Sequence, residues 1–463
     1  MPLTANPPKT ENRKPKTVFT VSLGCPKNLV DTEIMLGELV QAGWQAVAAP
    51  EEAALLLVNT CAFIAPAVQE AVDTVLEMAR HKDADPGKRL AVAGCLVSRY
   101  GAELPGQLPE VDFFIGVNDF PRLAAILAGP AAKGAGRLYQ EGPRFDYRTP
   151  QARFAATPPH FAYIKLAEGC SHRCTFCTIP RIRGPYRSRP LETLVTEARR
   201  LAGAGVRELN LVAQDTTAYG QEWGGRPGLV ELLRELGLIP GLRWIRLLYA
   251  HPARLTPELL ETMAAQPHIL PYLDLPIQHA HDDILRRMGR GYGRRDLQAA
   301  FRLIREILPR AVLRTSVMVG FPGETEAHFE SLLELVAEVG FEHLGVFLFH
   351  PEEGTAAARF PEPVPRRTAR QRARRLKALQ ARLVKERLRA LVGTTQEVLV
   401  EGVSSESEYL LTGRLPSQAP DIDGQVYLTA GEGRVGEIQP VRITRALPYD
   451  LVGEIVEEFG GGG

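Results

Sequence analysis

Between residues 161 and 349, six short strand-like runs, at 161–167, 208–213, 244–249, 272–275, 313–319 and 344–349, alternate with stretches of helical periodicity. Strict alternation of this kind makes βα units, whose helices cover a parallel sheet. Eight such units close a barrel, so six imply a partial (β/α)6 barrel with its chemistry at the carboxyl ends of the strands. A shorter alternation precedes it. Apolar runs at 17–24, 55–59 and 90–94, with helical periodicity at 29–42 and 66–80, read as an N-terminal doubly wound parallel sheet. A cysteine follows closely after each run: Cys25, Cys61 and Cys95. Ligands of such sheets sit beyond the strand carboxyl ends, so three thiols distant in sequence are expected to converge there.

The rest of the chain divides around these two regions. Residues 1–16 are rich in Pro and Lys, lack an apolar secretory segment and read as a disordered leader. The N-terminal domain is placed at 17–128, a linker rich in Ala, Gly, Pro and Arg at 129–156, and the barrel at 157–388. Its last part, 366–389, carries eleven Lys or Arg and one acid, with Leu376, Leu379 and Leu383 spaced for one helical face. From 391 to 458 the pattern becomes EVLVEGV, YLLTGR, GQVYLTA and VRITRAL, which suggests a small antiparallel β-barrel. The 463 residues suffice for about three domains at ~150 residues each. The apolar stretch 53–68 is broken by Asn59, Thr60 and Pro66 and falls short of the ~18 residues a membrane helix needs. With six cysteines in a chain of this size, a disulfide scaffold is not expected, and a reducing, cytoplasmic setting is.

Cys170, Cys174 and Cys177 form C-x3-C-x2-C directly after the first barrel strand, behind Gly169. Three thiolates can hold three irons of a cubane and leave the fourth open to the amino and carboxylate groups of S-adenosylmethionine, whereas a closed electron-transfer cluster takes four cysteines. The competing reading is a zinc site with His172 as fourth ligand, although zinc favours paired C-x2-C arms. Cys25, Cys61 and Cys95 have their own alternative as small buried core residues.

The segment EGCSHRCTFCTIPRIRGPYRSRP resembles the radical S-adenosylmethionine superfamily and, within it, the methylthiotransferases. SLGCPKNLVDTE, LVNTCAF and AVAGC extend the likeness to that family's N-terminal domain, and all six cysteines fall on family positions. The resemblance implies two 4Fe-4S clusters, one on Cys170, Cys174 and Cys177 and one on Cys25, Cys61 and Cys95. It also implies reductive cleavage of S-adenosylmethionine to a 5′-deoxyadenosyl radical, abstraction of a substrate hydrogen, and transfer of a methylthio group from the second cluster. A reductant such as flavodoxin or ferredoxin would supply the electron to a monomeric enzyme. Gly320, Phe321, Pro322, Gly323 and Glu324 resemble the superfamily segment near the adenine, and a Gly-Pro turn capping a strand accounts for the spacing equally well. Gln214, Asp215, Gln278 and His279 follow barrel strands and can meet ribose, the methionyl head or substrate. Loop solvation explains any one of them as well. Arg181, Arg183, Arg187 and Arg189 can balance carboxylates near the first cluster, with a solvated basic loop as the default. His251 carries no decisive signal.

Two classes within the family compete, one modifying adenosine in tRNA and one modifying the β-carbon of an aspartate in small-subunit ribosomal protein S-twelve. GCPKNLVDTE, GCSHRCTFC, RGPYRSRP and LDLPIQHA are similar to the protein-modifying RimO family. The tRNA-modifying MiaB family tends to have Gln and Met at Pro26 and Lys27, and QSG at Gln278, His279 and Ala280. A non-enzymatic iron-sulfur carrier would leave the barrel, the GFPGE segment and the three-Cys loop without a purpose. Charge enters the choice through the family's C-terminal TRAM module. Residues 391–463 hold twelve acids, among them Glu401, Glu406, Glu408, Asp421 and Asp423, against four arginines, a balance of −8. A surface that acidic is expected to repel tRNA and attract a basic ribosomal protein, alone or in the small subunit. The bland alternative is that the acids keep the domain soluble or pair with the basic helix.

Overall fold

The computed structural model describes residues 16–129, 136–140, 152–224, 226–404, 407 and 410–457. The leader up to residue 15, most of the linker, and Glu406 and Glu408 lie outside the described residues. The chain divides into two compact units, residues 1–62, 66–145 and 151–154 in one and 63–65, 146–150 and 155–463 in the other.

The first unit is built on six parallel strands, β1 Thr17–Ser22, β2 Gln45–Ala46, β3 Leu55–Thr60, β4 Arg89–Gly94, β5 Phe113–Ile115 and β6 Arg137–Tyr139, in the order β2-β1-β3-β4-β5-β6. β3 lies centrally and is buried at all six residues, which is why it reads as an unbroken apolar run rather than an alternating one. β2, β5 and β6 are two or three residues long, too short to show a period, and were not expected. Register aligns Ser22 with Asn59 and Thr60 with Gly94, so β1, β3 and β4 end at one edge. The helices Pro26–Gln41 and Ala65–Ala84 follow β1 and β3.

In the second unit, β7 Phe161–Lys165 leads into a two-stranded ribbon, β8 Ala167–Glu168 with β9 Arg187–Ser188, that brackets the C-x3-C-x2-C loop. The barrel sheet continues with β10 Glu208–Val212, β11 Trp244–Leu247, β12 Ile269–Asp274, β13 Val312–Val319 and β14 His343–Leu348, all parallel. Its order, β14-β13-β12-β11-β10-β7, is open, as six strands require. β13 alternates strictly: Leu313, Val317 and Val319 pack into the core beneath the helices, while Met318 joins an apolar cluster around the cysteine loop. The basic helix spans Arg366–Leu391. Its buried row is Ala369, Arg372, Leu376, Gln380 and Val384, so Leu379 and Leu383 flank the contact instead of forming it. Two of those five residues are polar, which shifts the contact away from the row that the leucines alone suggested. Arg372 donates to Glu324 at 2.7 Å and Gln380 Nε2 to the carbonyl of Phe341 at 2.9 Å.

The C-terminal barrel closes with five strands, β15 Thr395–Val403, β16 Leu411–Arg414, β17 Val426–Leu428, β18 Ile438–Ala446 and β19 Leu451–Ile455. β19, absent from the four expected runs, pairs parallel with β17, and the other four pairings are antiparallel. This barrel sits on residues of the larger barrel's strands. Glu208, fully buried, accepts from Arg246 Nε at 3.0 Å and from Arg414 Nη2 at 2.6 Å. Asp423 accepts from the Tyr272 hydroxyl at 2.6 Å and lies 3.4 Å from Arg314 and 3.2 Å from His343. Asp421 accepts from Tyr163 at 3.2 Å, and Glu401 pairs with Arg414 at 2.8 Å.

These contacts correct the charge argument. Glu401 and Asp423 are bonded within this junction, as is Arg414, so the formal balance overstates the free acidic surface, although Asp421 stays exposed while bonded to Tyr163. Among the described residues, the exposed acids outside the junction are Glu397, Glu432, Glu437, Glu454 and Glu457, interspersed with exposed Arg434, Arg442 and Arg445. A count of charges cannot separate acids that face solvent from acids held by buried arginines and tyrosines.

Candidate cluster sites and the catalytic face

Gly169 makes the first cysteine loop possible. Its φ of +75° places the position of a Cβ 2.3 Å from the carbonyl oxygen of Pro185, so only glycine lets the loop's two arms approach. Across that gap the Cys170 N–H donates to the Gly184 carbonyl at 3.0 Å. Thr175 anchors the loop's middle, donating from its N–H to the Met288 carbonyl at 3.0 Å and from its hydroxyl to Arg287 O at 2.8 Å. Phe176 packs with Ile284, Met288 and Phe321, and Cys174 and Cys177 lie against the same cluster. Burial pushes the Cys170 thiol up to about 11 and that of Cys177 up to about 12. Thiols held so high stay protonated until a metal centre ionises them.

The second trio lies at the edge where β1, β3 and β4 end. Cys25 caps the helix Pro26–Gln41, its carbonyl accepting from the N–H groups of Asn28 at 2.8 Å and Leu29 at 3.2 Å. The positive end of a 16-residue helix dipole therefore faces this cysteine. Gly24, at φ +95°, allows the chain to pass so close to Cys61 that a Cβ would stand 2.6 Å from the Cys61 Cβ. Asn28 ties the three strand ends together. Its Nδ2 donates to the carbonyls of Leu23 and Thr60, both at 3.0 Å, and its Oδ1 accepts from Cys95 Sγ at 3.7 Å. Asn59 in turn donates to the Asn28 carbonyl at 2.8 Å. Asn28 carries no cue of its own beyond its place in the SLGCPKN stretch.

One compact trio of possible metal ligands contains no cysteine. Among the described residues one trio of His, Cys, Asp or Glu, His281 with Asp283 and His328, has its ligand atoms all within 4.8 Å of one another. Both its imidazoles accept backbone N–H groups at Nδ1, from Asp283 and Thr325 at 3.2 Å, and Asp283 pairs with Arg286 at 2.8 Å, so these side chains cap helices. His172 is meanwhile engaged by Asp215, Nε2 to Oδ2 at 2.6 Å.

The carboxyl ends of the barrel strands gather the other candidates. Asp215, buried, is held by His172, by the Thr217 hydroxyl at 2.5 Å and by Arg254 at 3.3 Å. Burial opposes its ionisation, but the hydrogen bonds from His172 and Thr217 keep its carboxyl below the usual range. Gln214 and Gln278 are half-buried at strand ends, and Gln278, at φ +67°, bonds β13 through its backbone to Ser316 and Met318. Gly320 and Gly323 both adopt φ +81°, and the Glu324 carboxylate closes their turn by accepting from Gly320 N at 2.8 Å and from Arg372. Burial raises Glu324 above its usual range. His279 is fully buried, accepts the His281 N–H at Nδ1, and is held down to about 3 by burial.

Two of the four loop arginines are not solvated. Arg183 binds Glu168 at 2.9 Å beside Lys165, and Arg189 binds Glu197 at 2.6 Å, both pairs buried; Arg181 is exposed and Arg187 half-buried. His251 proves more telling than its sequence context: it is buried, stacked on His172 with ring centroids 4.4 Å apart, and neither of its ring nitrogens has a hydrogen-bond partner among the described residues. Arg290 was not anticipated at all. Its Nη1 lies 3.3 Å from Cys174 Sγ.

Residues 17–116 match the model of the uncharacterized protein family UPF0004, 164–336 that of the radical SAM superfamily, and 392–456 that of the TRAM domain. The ribosomal protein uS12 methylthiotransferase RimO of Geobacter sulfurreducens is 48% identical over 96% of this chain and 99% of its own. The protein of the same name from Trichlorobacter lovleyi is 48% identical over 96% and 100%. The chain belongs to the RimO family. Among solved structures, the radical S-adenosylmethionine methyltransferase TsrM from Kitasatospora setae covers 72% of this chain and 73% of its own at a TM-score of 0.54 and 17% identity, a likeness of fold. The RimO kinship covers both cysteine trios and the small barrel. No described helix is long and apolar enough to cross a membrane.

Proposed function

We propose that this chain is a radical S-adenosylmethionine methylthiotransferase acting on the β-carbon of an aspartate in ribosomal protein uS12. The observation that carries the reading is the pair of cysteine trios, each at the carboxyl edge of its own parallel sheet. Near full-length identity to uS12 methylthiotransferases favours this substrate over tRNA adenosine. Cys170, Cys174 and Cys177 would hold one 4Fe-4S cluster with an open iron, and Cys25, Cys61 and Cys95 a second. When bound, these groups and S-adenosylmethionine supply radical and sulfur chemistry beyond the reach of ordinary side chains.

The protein's own share is orientation and exclusion of water. Phe176, Ile284, Met288 and Phe321 form an apolar bed under Cys174 and Cys177, which keep one side partly exposed. Asp215 fixes His172 inside the cysteine loop, and Glu324 fixes the turn that presents Gly320 and Gly323. Gln214 and Gln278 stand ready at strand ends for the polar groups of the cofactor. In this reading 17–128 delivers sulfur, 157–388 generates the radical, and 391–458 completes the barrel's base. A flavodoxin or ferredoxin supplies the electron to a cytoplasmic monomer.

The test is anaerobic reconstitution followed by iron and sulfide analysis. The protein is then incubated with S-adenosylmethionine, reductant and either uS12, free or in the small subunit, or tRNA. Mass spectrometry should find one methylthio group on uS12. Modified tRNA beside unmodified uS12 would transfer the assignment to the MiaB class, and bound zinc without sulfide would overturn it altogether.

A further inference from the structure

Arg290 stands where no sequence pattern announced it. It lies between two glycines in left-handed conformations, Gly289 at φ +71° and Gly291 at φ +67°, in the turn after the helix Asp282–Met288. Each part of its guanidinium is assigned. Nε donates to the Tyr292 hydroxyl at 2.8 Å, Nη2 to the Pro276 carbonyl at 3.0 Å, and Nη1 points at Cys174 Sγ at 3.3 Å. The Tyr292 hydroxyl donates onward to the Ile277 carbonyl at 3.0 Å, and the guanidinium lies over the Tyr292 ring at 5.1 Å. Among the described residues its partners are a phenol, a carbonyl and a thiol, with no carboxylate to neutralise it. A fixed and uncompensated cation thus donates an N–H to one sulfur of the first trio.

We propose that Arg290 is a positioning residue that makes the cluster on Cys170, Cys174 and Cys177 easier to reduce. The inference rests on reading that trio as a four-iron site. Reduction moves one electron from a low-potential flavin or iron-sulfur protein onto the cluster, adding a negative charge and requiring no proton. A cation and N–H donor at a ligating sulfur stabilises the reduced form more than the oxidised one, and hydrogen bonds to sulfur are a recognised control on such potentials. The contact also singles out Cys174 among three otherwise similar ligands. Because Tyr292 and the Pro276 carbonyl fix the fork, the donor does not have to reorganise when the electron arrives.

The test compares the full-length protein with its Arg290→Gln and Arg290→Lys variants, each also in a Cys61→Ala background so that one cluster dominates the signal. Iron and sulfide content is measured first, then the midpoint potential by titration followed by electron paramagnetic resonance. Arg290→Gln should keep its iron and shift the midpoint negative. At a fixed solution potential its ratio of reduced to oxidised cluster should fall about tenfold, which is about 59 mV for a one-electron couple. Arg290→Lys, keeping charge but not the fork, should fall between. Cofactor cleavage driven by flavodoxin should drop in parallel and recover with titanium(III) citrate. An unchanged midpoint in both variants overturns the proposal, and so does loss of iron from both, which would make Arg290 a folding residue only. Neither uS12 nor methylthio transfer enters these measurements, so a wrong substrate assignment would leave the result intact. A wild-type protein that takes up no cluster would instead refute the four-iron reading itself.

Discussion

Replacing Glu208 by Gln tests the junction between the two barrels of the second unit. The carboxylate is fully buried with one oxygen on Arg246 at 3.0 Å and the other on Arg414 at 2.6 Å, and Arg246 is itself fully buried. Burial disfavours the charge, yet the two arginines hold the carboxyl below its ordinary range. The Gln variant keeps the shape and leaves two buried cations facing a neutral amide. Breaking a buried ion pair from one side costs about 3–5 kcal/mol. Trp244, buried at the start of β11 two residues from Arg246, is a local reporter. Urea unfolding followed by its fluorescence in a Trp44→Phe, Trp223→Phe background should show a midpoint drop equivalent to about 3 kcal/mol or more. Iron content should be unchanged, because the cysteines lie past the opposite ends of the strands. The quadruple replacement Glu208→Leu, Arg246→Met, Arg414→Met, Glu401→Gln removes the charges of this network together, including the Glu401 partner of Arg414, and should recover most of the loss. The sign with pH follows from the lowered carboxyl: its stabilisation is present above the ordinary glutamate value and lost as pH falls through the folded one. A Glu208→Gln protein within about 0.5 kcal/mol of the parent would refute the reasoning, since that is the range of an ordinary surface change.

Gly169→Ala should lose the iron of the first trio and keep that of the second, because its methyl would stand 2.3 Å from a carbonyl oxygen; Gly24→Ala, at 2.6 Å from Cys61, should do the reverse, with iron counting as the readout. Cys170→Ala should abolish 5′-deoxyadenosine formation while Cys61→Ala spares at least part of it, as chromatography of the nucleoside products will show. Burial pushes His251 down to about 3, so its folded form binds fewer protons than the unfolded chain below the ordinary histidine value. Stability tied to this residue is therefore full above about pH 6.5 and declines as pH falls toward 3. His251→Phe should flatten the fall in Tm between about pH 7 and 5 without lowering Tm at neutral pH, since both nitrogens it removes lack partners. A steeper pH dependence in the variant would contradict the burial argument.

The long elements were legible because their burial is uniform or strictly periodic. β1, β3, β4 and the six barrel strands all coincide with apolar runs, and two sets of cysteines mark where those runs end. Short edge strands such as β2 and β6 carry no period to read, and β19, LVGEI, reads as an apolar tail until its partners are known. Side-chain partnership was the larger gap. Arg183 and Arg189 read as a basic loop and are buried pairs, Asp421 and Asp423 read as acidic surface and are bonded to tyrosines, and Arg290 read as nothing. Each depends on contacts between segments far apart in the chain, which composition and spacing do not encode.

The seating of the small barrel limits how this protein can be recombined. Arg414, Asp421 and Asp423 find their partners in Glu208, Tyr163, Tyr272, Arg314 and His343, a mortise cut by five different strands of the larger barrel. A TRAM module transplanted from a distant relative would arrive with the wrong tenon and strand buried charges on both sides. Any chimera that exchanges the module has to carry those five positions with it, so the two barrels are inherited, and must be engineered, as one piece.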